Sequence, residues 1–332
     1  MSTIRLVVNK LMAAWLIVFG ILAFLVPGAF TWLHPYVTYL LGAVILVMSL
    51  TLTTRSLSQV FKKPRALISG FVIKWVTVPL LAVIAARLVY SHQHLLAAGT
   101  ILDGATPAGV SSNLFAYIGH GSVGLAVSLT FIHTILAPIL TPAVTSTLAS
   151  KYVPVSFMSL FIQMIELVLV PVILGLVIRY SVGEKRIVKA EPVLPVISAI
   201  FLYAIEVALI SPNVVTITKN MHWIPIVTVV TTVLIIVNMA VAYWLAKGVK
   251  VTETQARTIL FDTGVYNSGL GAVLAAHNFG GIAILPPLMN MIMNLIVGAI
   301  WAAYWQNKPA QVDAHRDYLE GVPPLTPIAS GK

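Results

Sequence analysis

Phe261-Asp262-Thr263-Gly264-Val265-Tyr266-Asn267-Ser268-Gly269 lies inside a long apolar stretch, and its reading decides the fold. A carboxylate at bilayer depth costs about 2.5–3.5 kcal/mol on insertion scales, so Asp262 marks an ion or substrate path. The glycines and the adjoining Tyr, Asn and Ser suggest a helix that breaks where it lines a polar cavity. A second segment of this kind runs Asp103-Gly104-Ala105-Thr106-Pro107-Ala108-Gly109-Val110-Ser111-Ser112-Asn113. Two interrupted, polar-centred spans in the two halves of a hydrophobic chain point to a secondary transporter.

The surrounding composition demands a bilayer. Of 332 residues, 59% are hydrophobic and 9% charged, and the mean hydropathy is +0.96, a balance foreign to soluble domains. There is no cysteine, which removes disulfides, thiolate metal sites and thiol nucleophiles. Apolar runs of about 20 residues place ten spans, near 11–30, 36–54, 67–90, 95–118, 122–148, 154–178, 192–211, 223–246, 255–278 and 283–305. Of the 20 Lys and Arg, 16 then fall on one side; Arg87, Lys151 and Lys219 fall on the other, and Lys74 lies within a span. The positive-inside rule makes both termini cytoplasmic. The net charge of +10 is therefore a topology signal, not a nucleic-acid footprint. The first span is expected to be a retained helix: its apolar run is too long for a signal peptide and no clear small-x-small site follows. From about Gln306 the sequence turns polar and proline-rich, and 307–332 is expected to be a disordered cytoplasmic tail.

Ten spans divide into 1–150 and 151–306, five in each half, with the junction near Lys151 to Pro154. An odd number of spans per repeat turns the second half upside down relative to the first, giving an inverted repeat. The fourth and ninth spans then correspond, and both carry the interruption. The two breaks would cross near the midplane and bring half-helix N-termini there, where N–H groups favour an anion and opposing carbonyls a cation.

Within the fourth span, Pro107 removes a donor and Gly109 can adopt φ > 0; Gly264 does the corresponding work in the ninth. Ser112, Asn113 and Asp262 offer the oxygen ligands that hard cations such as Na⁺ take. Mid-span Ser, Asn and Pro also serve as interhelical glue and packing kinks. Lys74 needs an anionic partner or gives up its proton, and Asp262 is the candidate. Such a pair either sets a fixed ammonium where a mobile cation would bind or is structural. Asp103 lies about a turn before the first break, as a second titratable site or a helix-end charge. Glu166, Gln163 and Glu206 are expected to face the same cavity or pair across helices. Thr130, His133, Thr134, Asn238, Asn290 and Asn294 read mostly as glue. No metal-ligand pattern, P-loop, nucleophile elbow or dinucleotide fingerprint occurs, so neither an enzyme nor a cofactor is expected.

Taken together, Pro107-Ala108-Gly109-Val110-Ser111-Ser112-Asn113 and Asp262-Thr263-Gly264-Val265-Tyr266-Asn267-Ser268-Gly269-Leu270 resemble the bile acid:sodium symporter family, which shows Pro-Gly-Gly-x-x-Ser-Asn and Glu-x-Gly-x-Gln-Asn there. Met48-Ser49-Leu50-Thr51-Leu52, Lys62-Lys63-Pro64 and Val170-Pro171-Val172-Ile173-Leu174-Gly175 support the likeness. The resemblance implies an all-α polytopic protein of ten helices in an inverted repeat. Spans one, two, six and seven would form a panel domain; three to five and eight to ten would form a core. Broken spans four and nine would cross to hold the ions, and the panel–core crevice would hold the organic anion. By this likeness Ser112, Asn113, Thr130 and Asp262 match one Na⁺ site, and Gly109, Val110, Asn267 and Ser268 border the substrate.

Departures from the family pattern concern the ions. Asp262 stands where Glu is usual, Tyr266 where Gln is usual, and Ala126 lacks a hydroxyl often counted in the first site. Lys74 occupies the position of a Gln that completes a second Na⁺ site. The second site is therefore expected to be abolished and the first weakened, with coupling to one Na⁺ or to a proton. The expected function is alternating-access transport of a small organic anion, bile-acid-like or a small carboxylate such as pantoate. The alternative is a non-transporting receptor on the same scaffold. The resemblance further implies a monomer among lipids, and the lack of organelle signals suggests a prokaryotic inner membrane.

Overall fold

The computed structural model describes residues 12–50, 64–190, 193–308 and 310. Arg5, Lys10, Arg55, Lys62, Lys63, Arg316 and Lys332, used above for topology, lie outside the described residues, as do most of 307–332, the Lys62-Lys63 pair, and Thr51 and Leu52. Among the described residues the chain is helical, without strands. In order, the helices are α1 (Met12–Leu25), α2 (Val37–Ser49), α3 (Pro64–Val89), α4 (His94–Gly104), α5 (Ser111–Ile118), α6 (Val123–Leu148), α7 (Phe157–Met164) and α8 (Val170–Val182). They continue with α9 (Glu184–Ala190), α10 (Leu194–Ile210), α11 (Val214–Lys219), α12 (Trp223–Gly248), α13 (Glu253–Gly264), α14 (Ser268–Asn278) and α15 (Leu285–Gln306).

Seven described helical runs are long and apolar enough to cross a membrane: Thr31–Ser49, Arg65–Val89, Val123–Leu148, Phe157–Val182, Leu194–Lys219, Trp223–Gly248 and Gly281–Gln306. Met12–Leu25 is apolar but shorter. The two remaining apolar stretches, 95–118 and 255–278, are the ones expected to break, and each is split into two half-helices, α4 with α5 and α13 with α14.

The residue distribution is that of a protein dissolved in lipid. Leu25, Tyr39 and Leu88 are 69, 74 and 78% exposed, while Lys74, Asp262 and Glu206 are each 1% exposed. Lipid solvates the apolar exterior, and polar groups must find partners inside. Local signals set several ends. Ser122 caps α6 by accepting from the Leu125 N–H at 3.5 Å, and Thr252 and Gln255 form a reciprocal capping box at the start of α13. Pro171 cannot donate to the helix that precedes it, and a π-helical turn over Ile165–Leu169 absorbs the mismatch between α7 and α8.

Helix packing falls into two groups. Helix α10 packs on α1 and α2, and α2 packs on α8. In the second group α12 packs on α3, α13 and α15, α3 packs on α4 and α6, and α5 packs on α13 and α15. The groups meet where α6 packs along α7 and the π-helical turn, where α14 touches α2 and α10, and where α15 touches α1.

Candidate functional site at the crossing of two broken helices

The two breaks meet. Ala108 and Tyr266 pair antiparallel, the Gly109 N–H donates to the Val265 carbonyl at 2.8 Å, and the Asn267 N–H donates to the Pro107 carbonyl at 2.8 Å. Each interruption frees peptide groups that lipid could not solvate, and each supplies the other's partners. Asn294 of α15 adds a side-chain donor to the Tyr266 carbonyl at 3.1 Å. Gly109 is needed here for approach rather than for torsion. Its φ is not among the positive ones, contrary to the sequence expectation, but a Cβ on it would lie 3.0 Å from the Tyr266 carbonyl oxygen. Gly264 is likewise confined, since its Cβ would run into the Met239 side chain. The N-termini of α5 and α14 both start at the crossing, and Asn267 caps α14 by accepting from the Leu270 N–H at 3.2 Å.

On one side of the crossing stand the expected ion-site residues. Ser112 and Asp262 are each 1% exposed and Thr130 4%. The Thr130 hydroxyl lies 3.0 Å from Asn113 Oδ1 and also from the Ala126 carbonyl. One turn further along α6, on the same face, His133 Nε2 lies 2.9 Å from Asp262 Oδ2. The indole N–H of Trp75 donates to His133 Nδ1 at 2.8 Å. An indole nitrogen only donates, so Nδ1 accepts, the ring proton sits on Nε2, and a neutral imidazole donates to the Asp262 carboxylate. Phe71 stacks on the ring, 5.4 Å between centroids. The sequence reads His133 as a hydrogen-bonding residue between helices, and that is what it does; its spacing of three from Thr130 is the signal that both reach one site.

Lys74 is placed differently from expectation. Asp262 is hydrogen-bonded to His133, and among the described residues no ion pair joins it to Lys74. The Lys74 ammonium is buried without a hydrogen-bond acceptor, 4.9 Å from the centroid of the Tyr266 ring, in the field of both Asp262 and Asp103. The aromatic face gives it a partial electrostatic partner.

The other intramembrane polar residues do not share one cavity. Glu206 packs against Gly20 of α1, where a Cβ would lie 3.3 Å from Glu206 Oε1. Glu166 is exposed in the π-helical turn and lines an outer groove of about 500 Å³ with Thr38, Tyr39 and Gly42. Gln163 exchanges hydrogen bonds with Asn278, at 2.8 and 3.3 Å, joining α7 to the end of α14. Thr134 bonds back to its own helix at Thr130. Among the described residues no three His, Asp or Glu gather to hold a metal.

The model of the Sodium Bile acid symporter family matches residues 38–220. The chain belongs to that family. It is 33% identical over 298 residues to the "Uncharacterized sodium-dependent transporter YocS" of Bacillus subtilis (strain 168), covering 89% of this chain and 90% of that protein. It is 30% identical to the "Probable sodium/metabolite cotransporter BASS1, chloroplastic" of Arabidopsis thaliana, over 90% of this chain and 74% of that protein. It is also 30% identical to the "Probable sodium/metabolite cotransporter BASS2, chloroplastic" of Oryza sativa subsp. japonica, over 94 and 74%. This is a multi-span membrane protein of a sodium-coupled transporter family, and these relatives lend no support to the receptor reading. The Asp262 side of the crossing fits the cation that the family name carries. Asp262 Oδ1 and Ser112 Oγ are buried oxygens without hydrogen-bond partners, and hard monovalent and divalent cations take such ligands.

Proposed function

We propose that this chain is a secondary carrier that moves a small organic anion by alternating access, coupled to one Na⁺. The anion is bile-acid-like or a small carboxylate such as pantoate. The observation that carries this reading is the crossing itself: two half-helix N-termini and an open carboxylate oxygen converge at one buried place. Helix N-termini favour an organic anion, to be bordered by Gly109, Val110, Asn267 and Ser268. Ser112, Asn113, Thr130 and Asp262 would hold the Na⁺, which supplies positive charge and the free energy of its gradient. His133 fixes the Asp262 carboxylate through Oδ2 and leaves Oδ1 for a cation. Lys74 would stand in for a second Na⁺, because a buried ammonium in the field of Asp262 repels another cation and supplies its charge.

Two pairs of corresponding spans match in length, which supports the inverted five-helix repeats 1–150 and 151–306. Helices α3 and α12 are both 26 residues long, as are the runs Val123–Leu148 and Gly281–Gln306, and the two breaks pair symmetrically. The two packing groups agree with a panel of spans one, two, six and seven rocking against a core of the remainder. The carrier would be a monomer in a prokaryotic inner membrane with both termini cytoplasmic.

The test is uptake into proteoliposomes under an imposed Na⁺ gradient, with K⁺ replacing Na⁺ as the control, for wild type and Lys74→Gln. Na⁺-driven, saturable accumulation with a Na⁺ order near one is expected, rising towards two in Lys74→Gln. Binding of the anion without flux would overturn the carrier reading. Uptake driven by a pH gradient and indifferent to Na⁺ would overturn the coupling.

A further inference from the structure

Glu166 takes no part in the crossing and faces outward. It belongs to the π-helical turn Ile165–Leu169 and is exposed, on the same outward stripe as Val170, Ile173, Leu174 and Val177, each about half exposed. Those apolar neighbours mark the stripe as one that meets lipid. No described hydrogen bond or ion pair engages the Glu166 carboxylate. A carboxylate set among lipid-facing residues is costly unless a partner comes to it. Single π-helical turns within α-helices also recur at functional sites.

The carboxylate opens on the groove of about 500 Å³ between α2 and α8, a size usual for ligand sites. Its two ends differ in character. Thr38 and Tyr39 stand with Glu166 at one end, and Leu46 and Leu174 line the other. The two helices run parallel: a Cβ on Gly42 would lie 3.6 Å from the Pro171 ring, and further along one on Gly175 would meet Ser49. Glu166, five residues before Pro171, therefore lies roughly 7–8 Å back towards the start of α2. That start is marked by three exposed aromatic residues, Trp32, Tyr36 and Tyr39, and such rings gather where hydrocarbon meets the headgroups. The polar end of the groove lies beside the interface, and the apolar end runs towards the bilayer centre.

We propose that this groove binds a membrane lipid whose headgroup carries a primary ammonium, with Glu166 as counter-ion and an acyl chain laid between α2 and α8. The order of the groove is the order of a lipid, with charge at the interface and hydrocarbon below. A primary ammonium brings one positive charge and three donors to the carboxylate. The hydroxyls of Thr38 and Tyr39 can donate to the phosphate that stands beside it in a phospholipid. A choline headgroup carries the same charge without an N–H, and an anionic headgroup is repelled. A second copy of the chain docking symmetrically through this stripe would set Glu166 against Glu166 and supply no cation.

The experiment is native mass spectrometry of the purified full chain with added dioleoyl phosphatidylethanolamine or dioleoyl phosphatidylcholine, for wild type, Glu166→Gln and Leu174→Trp. Wild type should bind the ethanolamine lipid about tenfold more tightly than the choline lipid, as loss of a charge-assisted hydrogen bond implies. Glu166→Gln should erase that preference, and Leu174→Trp, which fills the apolar end, should weaken both lipids. Equal affinity of wild type and Glu166→Gln for the ethanolamine lipid would overturn the proposal. So would free ethanolamine competing as well as the lipid, which would make this a small-amine site. A wild-type dimer lost in Glu166→Gln would overturn it too, by making the groove an interface between copies. If Glu166→Gln does not fold, the wild-type comparison and Leu174→Trp decide: no headgroup preference, or lipid binding untouched by the tryptophan, overturns the proposal. The measurement needs neither Na⁺ nor flux, so its failure and that of the transport reading are separate events.

Discussion

Replacing His133 by alanine tests the internal wiring of the site. The substitution removes a hydrogen bond to a buried carboxylate and strands the Trp75 N–H, which now donates to His133 at 2.8 Å. A hydrogen bond to a charged group contributes about 1.5–3 kcal/mol, and a buried donor left without an acceptor costs about 1–3 kcal/mol. Loss of the ring stacked on Phe71 adds to both, so a total near 3–6 kcal/mol is expected. At on the order of 2–4 °C per kcal/mol for chains of somewhat smaller size, the apparent unfolding midpoint in detergent should fall by about 6 °C or more. Trp75→Phe keeps the aromatic volume near the ring but removes the donor, and should cost about 1–2 kcal/mol. Followed by circular dichroism on both single variants and the double variant, the cycle should give a coupling of about 0.5–3 kcal/mol, as for residues of one network. Additive losses, or a His133→Ala midpoint within a degree or two of wild type, would refute the relay from Trp75 through His133 to Asp262.

Two further outcomes follow from geometry outside that relay. Gly109→Ala places a methyl 3.0 Å from the Tyr266 carbonyl and should cost about 1–3 kcal/mol by overpacking, with transport falling further than stability. Gly28→Ala, where a Cβ meets nothing within 4 Å, serves as the unperturbed comparison in the same melting assay. At the start of α13, burial opposes ionisation of Glu253, but bonds from Lys247, Arg257 and Tyr243 prevail and hold its carboxyl below the usual glutamate range. A depressed carboxylate contributes stability above its ordinary value and loses it as pH falls through the folded value. The wild-type midpoint should therefore drop on acidification below the ordinary glutamate range, and Glu253→Gln should be less stable at neutral pH and flatten that drop. A pH-independent difference between the two would refute the assignment.

Much of this architecture can be read from residue order, because length and apolarity are local properties. The seven long apolar runs coincide with expected spans, and Pro107, Gly109 and Gly264 sit at the two interruptions. What could not be read is partner choice. The sequence offered Lys74 as the partner of Asp262, and only the packing of α6 against α13 gives it to His133. Glu206 faces Gly20 within one helix group because α1 and α10 approach closely there, an encounter between residues far apart in the chain. Asn290 and Asn294 read as interhelical glue and act as such, but their partners, Asp103 for one and the carbonyl of a broken helix for the other, are visible only in the fold. The reason for Gly109 was also hidden: a close approach from a distant backbone leaves no trace in neighbouring residues, whereas a turn usually does.

The reciprocal backbone bonds of the crossing bear on biogenesis. Pro107 and Gly109 exchange hydrogen bonds with Asn267 and Val265, which a ribosome delivers only after more than 150 further residues. Until then the fourth span carries bare peptide groups that hydrocarbon penalises by several kcal/mol each. It must wait in the translocon, in water, or against other chain already inserted. The first five spans made alone should be poorly retained in the membrane and open to quality-control proteolysis, and late arrival of the ninth span should be the committing step of assembly.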